Sequence, residues 1–132
     1  MTPRQTPIAH AAEICITQTY ASSISIRDIL AAYLLTVAEL RDGSGNAQTI
    51  LDLDEAYRTF GTIAGILGQH VERMQYLRAM TGRMLREISR TGTLTIEPEE
   101  LDEIILATDI IEHLAQAGHD ALHLAAQWSA AA

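Results

Sequence analysis

The chain has 132 residues, and its nine basic residues, all of them arginine, stand against seventeen acidic residues for a net charge of −8. A chain without lysine cannot build a P-loop, a pyridoxal site or a Schiff-base catalyst, because each needs a lysine amine. The lone cysteine, Cys15, excludes an intramolecular disulfide, a cysteine-paired zinc module and a CxxC redox site. Apolar residues make up 48% of the chain and aromatic residues only 5%. A core of Leu, Ile and Ala is therefore expected, and this composition favours helices.

Two helices are predicted in the first third of the chain. Thr6 followed by Pro7 is typical of an N-cap and a first helical residue, which predicts a helix over 7–20. The isoleucines and threonines within that range also fit a strand. Ser25 and Asp28 form a capping-box pattern, from which a second helix runs to about residue 41. Its apolar residues fall on one stripe, namely Ile26, Leu30, Tyr33, Val37 and Leu40.

A polar, glycine-containing linker over 42–46 separates this helix from a long helical pattern over 49–90. Apolar residues alternate in steps of three and four through that range, which indicates either one long helix or two helices broken near Gly68. An unbroken helix would overhang a small domain and would favour a dimer. Gly61, Gly65 and Gly68 are spaced for close approach of a neighbouring helix, since glycine is otherwise unfavourable in a helix interior. The alternative is a site at which a ligand contacts the bare backbone.

The last helical segment begins at Pro98 after a turn at Gly92, and it carries two apolar stripes over 101–128. Gly118 is a point at which this segment could divide into two helices. A helix that is apolar on two faces is either central in a bundle or the docking face for a second subunit. The pattern predicts an all-α protein, an antiparallel helical bundle of four to six helices, in a single helical domain over 1–132.

Charge is unevenly distributed. Five arginines and one acid lie in 73–96, whereas 97–132 has eight acids and no arginine. Arg83, Arg86 and Arg90 fall on one side of a helix, opposite its apolar stripe. Together with Arg78 they are candidate binding residues for phosphates or carboxylates, because each guanidinium presents a planar fork. The alternative is a solvated face whose charge pairs with the acidic last helix.

The last segment also holds weak candidates for a metal site. His119 and His123 are one helical turn apart, and Asp120 with His123 has the spacing used in carboxylate-bridged di-iron bundles. Such sites repeat a Glu-x-x-His motif, and the chain contains none. We therefore expect no metal and no cofactor.

Three functions are ranked from these features. The first is a non-enzymatic interaction or regulatory protein that self-associates, as a homodimer, and binds a partner protein. The second is a nucleic-acid-associated protein using the Arg73–Arg90 face, or in inverted form an acidic nucleic-acid mimic that inhibits a basic partner. The third is a metal-dependent enzyme using the acids and histidines of the last segment. The absence of an apolar N-terminal run or a stretch long enough to span a bilayer predicts a cytoplasmic protein without a membrane partner.

Overall fold

The computed structural model describes residues 26–131, with side chains described up to residue 121 and at His123. The helix predicted over 7–20 lies outside the described residues, as does Ser25 of the predicted capping box. Over the described residues the chain forms helices and turns without strands, which confirms the all-α prediction. The helices are α1 (Ile26–Arg41), α2 (Ala47–Leu67), α3 (Val71–Thr91) and α4 (Pro98–Ala131).

Each helix runs antiparallel to the preceding one, and α4 also runs antiparallel to α1. Between α1 and α2, for example, Tyr33 contacts Tyr57. Further along α1, Glu39 accepts a hydrogen bond from Thr49, which lies nearer the start of α2 than Tyr57 does. The same reversed order holds between α2 and α3 for the pairs Gly61–Met74 and Asp54–Thr81. It holds between α3 and α4 for Arg73–Glu103 and Arg83–Glu100. Between α1 and α4 it holds for Ile26–Gly118 and Tyr33–Ile104. The predicted antiparallel bundle is confirmed, with four helices in the described part of the chain.

The polar linker over 42–46 reverses the chain between α1 and α2, as its composition predicts. The side chain of Asn46 accepts a hydrogen bond from the Thr49 amide at 3.1 Å, and the Thr49 hydroxyl accepts one from the Asn46 amide at 3.0 Å. This capping box satisfies two backbone donors that the first turn of α2 would otherwise leave without partners. The linker therefore specifies where α2 begins.

The pattern over 49–90 forms two helices, and the alternative of one long helix is wrong. Gly68 ends α2 in the left-handed conformation, with φ at +67°, and the Gln69 amide donates to the Ala64 carbonyl at 3.1 Å. This is the helix-ending turn for which glycine is suited, since it has no Cβ to clash. His70 follows with φ at +57° and precedes the first residue of α3. Because the helix is broken, no long helix overhangs the bundle. The expectation of a dimer that was based on this overhang loses its support.

Gly118 does not divide the last helix, because α4 continues without interruption through it. A Cβ at Gly118 would lie 3.1 Å from Cδ1 of Ile63 and 3.3 Å from Cδ1 of Ile26. The glycine thus allows α4 to approach α2 and α1 closely at the level where α1 begins. Its conformational cost within the helix is offset by the packing of two isoleucines into the space that a side chain would fill.

The core contains one hydrogen-bonded chain of polar groups amid apolar packing. The Tyr33 hydroxyl donates to the Ile104 carbonyl at 3.3 Å and lies 3.1 Å from the Tyr57 hydroxyl. Because a hydroxyl has one proton, Tyr57 is then the donor to Tyr33. The two rings are tilted at 58° with centroids 5.6 Å apart, and both residues are buried. One chain of hydrogen bonds therefore connects α2, α1 and α4.

Substitutions at two glycines three residues apart are expected to change stability in opposite directions. Gly65 lies within α2 with no atom near its would-be Cβ, so Gly65→Ala should stabilise the protein by about 0.5 kcal/mol. Gly68→Ala should destabilise it by about 1 kcal/mol, because alanine is strained at positive φ. Chemical denaturation followed by circular dichroism measures both. A destabilising Gly65→Ala would contradict the placement of this glycine in an open helical position.

Stability should fall when the pH rises above about 10, the ordinary pKa of tyrosine. Burial raises the pKa of Tyr33, and burial followed by the proximity of Tyr33 raises that of Tyr57. The folded state therefore keeps both phenols protonated, whereas the unfolded chain releases their protons, so stability is retained below about pH 10 and lost above it. With no lysine in the chain, no amine side chain titrates in the same range.

This dependence is measured as the free energy of unfolding between about pH 8.5 and about pH 11.5, together with phenolate absorbance. Tyr57→Phe should have a shallower slope above about pH 10, because it removes one of the two linked protons. An identical slope in the wild type and in this variant would contradict the linkage.

Candidate interaction surfaces

Two of the five arginines of α3 pair with the acidic start of α4. Arg83 forms an ion pair with Glu100, whose side chain is only 13% exposed, and lies 3.8 Å from Glu87 on its own helix. Arg73 pairs with Glu103, and its guanidinium carbon is 5.5 Å from the ring centroid of Tyr76. These ion pairs connect the basic segment 73–96 to the acidic segment 97–132. For two of the five arginines they agree with the alternative in which the arginine face is solvated and pairs with the acidic last helix.

The other three arginines make no ion pair with any described residue. Arg78 lies on the flank of α3 nearest α2, where its Cδ is 3.4 Å from the position of a Cβ on Gly61. Arg86 and Arg90 are exposed. Arg78 is exposed as well, but it lies on the side of α3 towards α2, whereas Arg86 and Arg90 lie one turn apart beside the paired Arg83.

The three glycines singled out in α2 have three different surroundings. Gly61 faces α3, with Met74 Cβ 3.9 Å from its would-be Cβ. Gly65 has nothing within 4 Å, and Gly68 forms the terminating turn. Gly118, which sequence reasoning treated only as a break point, has the closest neighbours of any glycine in a described helix.

The weak metal candidates do not form a described cluster. His119 is exposed beside the start of α1, Asp120 accepts a hydrogen bond from Gln116 at 3.0 Å, and His123 is exposed. Among the residues that the structure describes, no three potential metal ligands lie close enough together to hold a metal ion. A histidine contact that sequence analysis did not find joins the α2–α3 turn to α4: His113 Nε2 is 3.0 Å from Oε1 of Gln69, and its ring meets that of His70 edge to face.

The outward side of α1 is apolar. Residues 29–38 contain no charged side chain, and the stripe predicted from sequence, which includes Tyr33 and Val37, accounts for the buried side alone. On the opposite side Leu35 is 64% exposed and Leu34 is 37% exposed. We call the exposed residues at helical spacing the α1 face, and they are Ala31, Leu34, Leu35 and Ala38.

Oppositely charged pairs border the α1 face at both ends. Arg27 and Asp28 precede it by one turn, and Arg41 and Asp42 follow it. The sequence signal that could have identified this surface is the uncharged stretch over 29–38. Whether the second side of an amphipathic helix is covered depends on how many helices surround it, and the sequence does not specify that number.

Other exposed apolar side chains are dispersed. Leu51 on α2 is 48% exposed, Tyr76 on α3 is 51% exposed and Leu106 on α4 is 66% exposed. Leu106 begins the second apolar stripe of α4, which becomes buried at Leu114. Single exposed leucines are ordinary on protein surfaces, so the α1 face differs from them by being continuous along a helix.

A small cavity lies between the start of α1 and the middle of α4. It has a volume of about 110 Å³ and is lined by Ile26, Arg27, Leu30, Glu112, Ala115, Gln116 and His119. Pockets that bind small organic ligands usually measure about 300–1,000 Å³. This cavity therefore does not favour a substrate site.

Glu100 should contribute more to stability than its neighbour Glu99. Besides pairing with Arg83, Glu100 accepts a hydrogen bond from the Glu97 amide at 3.0 Å, whereas Glu99 is an exposed acid in the same helical turn. Glu100→Ala should cost about 1–2 kcal/mol and Glu99→Ala less than about 0.5 kcal/mol, although both lie near the positive end of the helix dipole.

A double-mutant cycle with Arg83→Ala separates the two contributions of Glu100. The coupling between Arg83 and Glu100 is expected at about 0.5–1 kcal/mol. Equal effects of the two glutamate substitutions, or zero coupling, would contradict the assigned ion pair.

No helix in the described part of the chain combines the length and apolar character that crossing a bilayer requires. Comparison with family models, with curated proteins and with solved structures finds no match to the chain. Function therefore has to be inferred from the surfaces themselves.

Proposed function

We propose that this protein is a non-catalytic interaction module that self-associates and binds a partner protein. The observation that carries the proposal is the α1 face, a row of exposed apolar side chains without a charge among them over 29–38. Exposed apolar surface that is continuous, and bordered by polar residues, is typical of protein–protein contact sites. Burying it against another protein surface would recover the free energy lost by its exposure to water.

The separation of charge supports the partner-binding half of the proposal. Arg86 and Arg90 form no ion pair with a described residue, while the chain as a whole carries a charge of −8. A basic patch on an acidic protein gives electrostatic complementarity to a partner that presents carboxylates, and repels surfaces of the wrong sign. The partner class that fits is therefore a protein with an acidic segment.

The ion pairs between α3 and α4 make nucleic-acid binding a less favoured function. Arg73 and Arg83 are engaged by Glu103 and Glu100, which places carboxylates where phosphates would have to approach. Phosphate binding draws its affinity from several unpaired cations on a basic surface. The cavity of about 110 Å³ likewise gives no support to an enzymatic function.

Self-association is tested by sedimentation and light scattering of the purified chain at micromolar and nanomolar concentrations. We expect the mass to rise toward that of a dimer at the higher concentration, because an interface built on one helix face is small. A monomer at both concentrations would refute self-association.

Partner binding is tested separately with immobilised protein. Capture of an acidic partner should be lost in the variant Arg86→Ala/Arg90→Ala and retained in Arg58→Ala, since Arg58 is an exposed arginine already paired with Asp54 at 3.1 Å. Equal capture by the two variants would exclude the Arg86 and Arg90 patch as the binding surface.

A further inference from the structure

We propose that residues 7–20 form a helix that folds back along α1 and covers the α1 face of the same molecule. A second copy of the chain then reaches the α1 face only when this segment leaves it. The competition with a second copy rests on the proposed function, whereas the contact within one chain does not. Both depend on how the chain enters α1 and on the apolar residues of the two segments.

The connection to α1 is short. Residues 7–20, for which the sequence predicts a helix, lie outside the described residues, and residues 21–25 separate them from Ile26 at the start of α1. Two helices joined by about 2–5 residues form an antiparallel hairpin. A connection of this length also holds the segment beside α1 at an effective concentration in the millimolar range.

Among the described helices, α2 and α4 occupy the inward side of α1. Tyr33 contacts Tyr57 of α2, and Ile26 packs beside Gly118 of α4. The outward side carries the α1 face, on which Leu35 is 64% exposed. An antiparallel neighbour that is joined directly to α1 therefore has the outward side open to it, and on that side it contacts the α1 face.

The helix predicted over 7–20 has an apolar side of its own. Its residues at helical spacing are Ile8, Ala12, Cys15, Ile16 and Thr19. The opposite side carries His10, Glu13 and Thr17. A helix of this length is marginally stable alone, and such helices gain most of their stability by packing an amphipathic face. The apolar surface nearest along the chain is the α1 face.

Large and small residues of the two segments are complementary in order. A short connection places the helix ends at residues 20 and 26 at the same level. Ile8 would then lie level with Ala38, and Ala12 with Leu34. Each pair combines a large side chain with a small one, which allows the two helices to interdigitate and approach closely.

The native thiol of Cys15 allows the contact to be tested by disulfide trapping in the full chain. In the proposed register Cys15 lies level with Ala31, one turn from Leu34. Oxidised glutathione at nanomolar protein concentration should therefore close an intramolecular disulfide in Ala31→Cys or Leu34→Cys, since facing residues of packed helices approach the geometry that a disulfide requires. Leu51→Cys and Leu106→Cys place the thiol at leucines that are 48% and 66% exposed on other helices, and trapping there should be slower by about tenfold or more.

A matched pair of substitutions tests the competition with a second copy. Ile16→Glu places an acid on the apolar side of the predicted helix, and Thr17→Glu places the same acid on its polar side. Ile16→Glu should abolish trapping in the Ala31→Cys background. It should also strengthen self-association by about tenfold, because the α1 face is then open in a larger fraction of molecules. Thr17→Glu should leave trapping and self-association unchanged, as measured by mass spectrometry and by sedimentation over a concentration series.

The outcomes separate the contact from the proposed function. Absence of an intramolecular disulfide in both trapping variants would overturn the contact, as would equal trapping in the two controls. Disulfides that form only between copies would overturn it as well. If trapping occurs but the wild type and Ile16→Glu are monomeric at every concentration, the contact stands, whereas self-association and the competition are refuted.

Discussion

The register of α1, α2 and α4 depends on the need to satisfy two buried phenol groups. A tyrosine hydroxyl that is removed from water without a partner destabilises the folded state, so Tyr57 and Tyr33 can be buried only if the helices hold the register that joins them to each other and to the Ile104 carbonyl. Apolar packing alone tolerates small slips between helices. The hydrogen bonds do not, because their distances and angles limit how far α1 can move along α2 and α4.

Features set by local backbone chemistry could be predicted from sequence. The polar linker over 42–46 and the buried stripe of α1 each depend on residues close together in the chain, as does the break at Gly68, which the sequence offered as one of two alternatives. Their preferences act whatever surrounds them, because turn residues and amphipathic spacing determine conformation over a few residues. The all-α class followed from the same local signals.

Features that depend on distant residues could not be predicted. Gly118 resembles a helix breaker until Ile26 and Ile63, far away in sequence, are seen to occupy the space beside it. The pairing of Arg83 with Glu100 was anticipated only as a general attraction between a basic and an acidic helix. Likewise, the uncharged stretch of α1 was visible in the sequence, but its exposure depends on the packing of the bundle, in which the described helices α2–α4 cover one side of α1 only.

The contact between α3 and α4 differs in kind from the other contacts of the bundle. The backbones of α3 and α4 approach each other less closely than those of α2 and α3 or of α1 and α4, and the charged pairs Arg73–Glu103 and Arg83–Glu100 cross between them. Partly exposed ion pairs are screened by salt, whereas apolar packing is not. Ionic strength thus acts unevenly on this molecule. Added salt is therefore expected to weaken the two ion pairs between α3 and α4, whereas the buried residues Met74, Leu77 and Met84 keep α3 packed in the core.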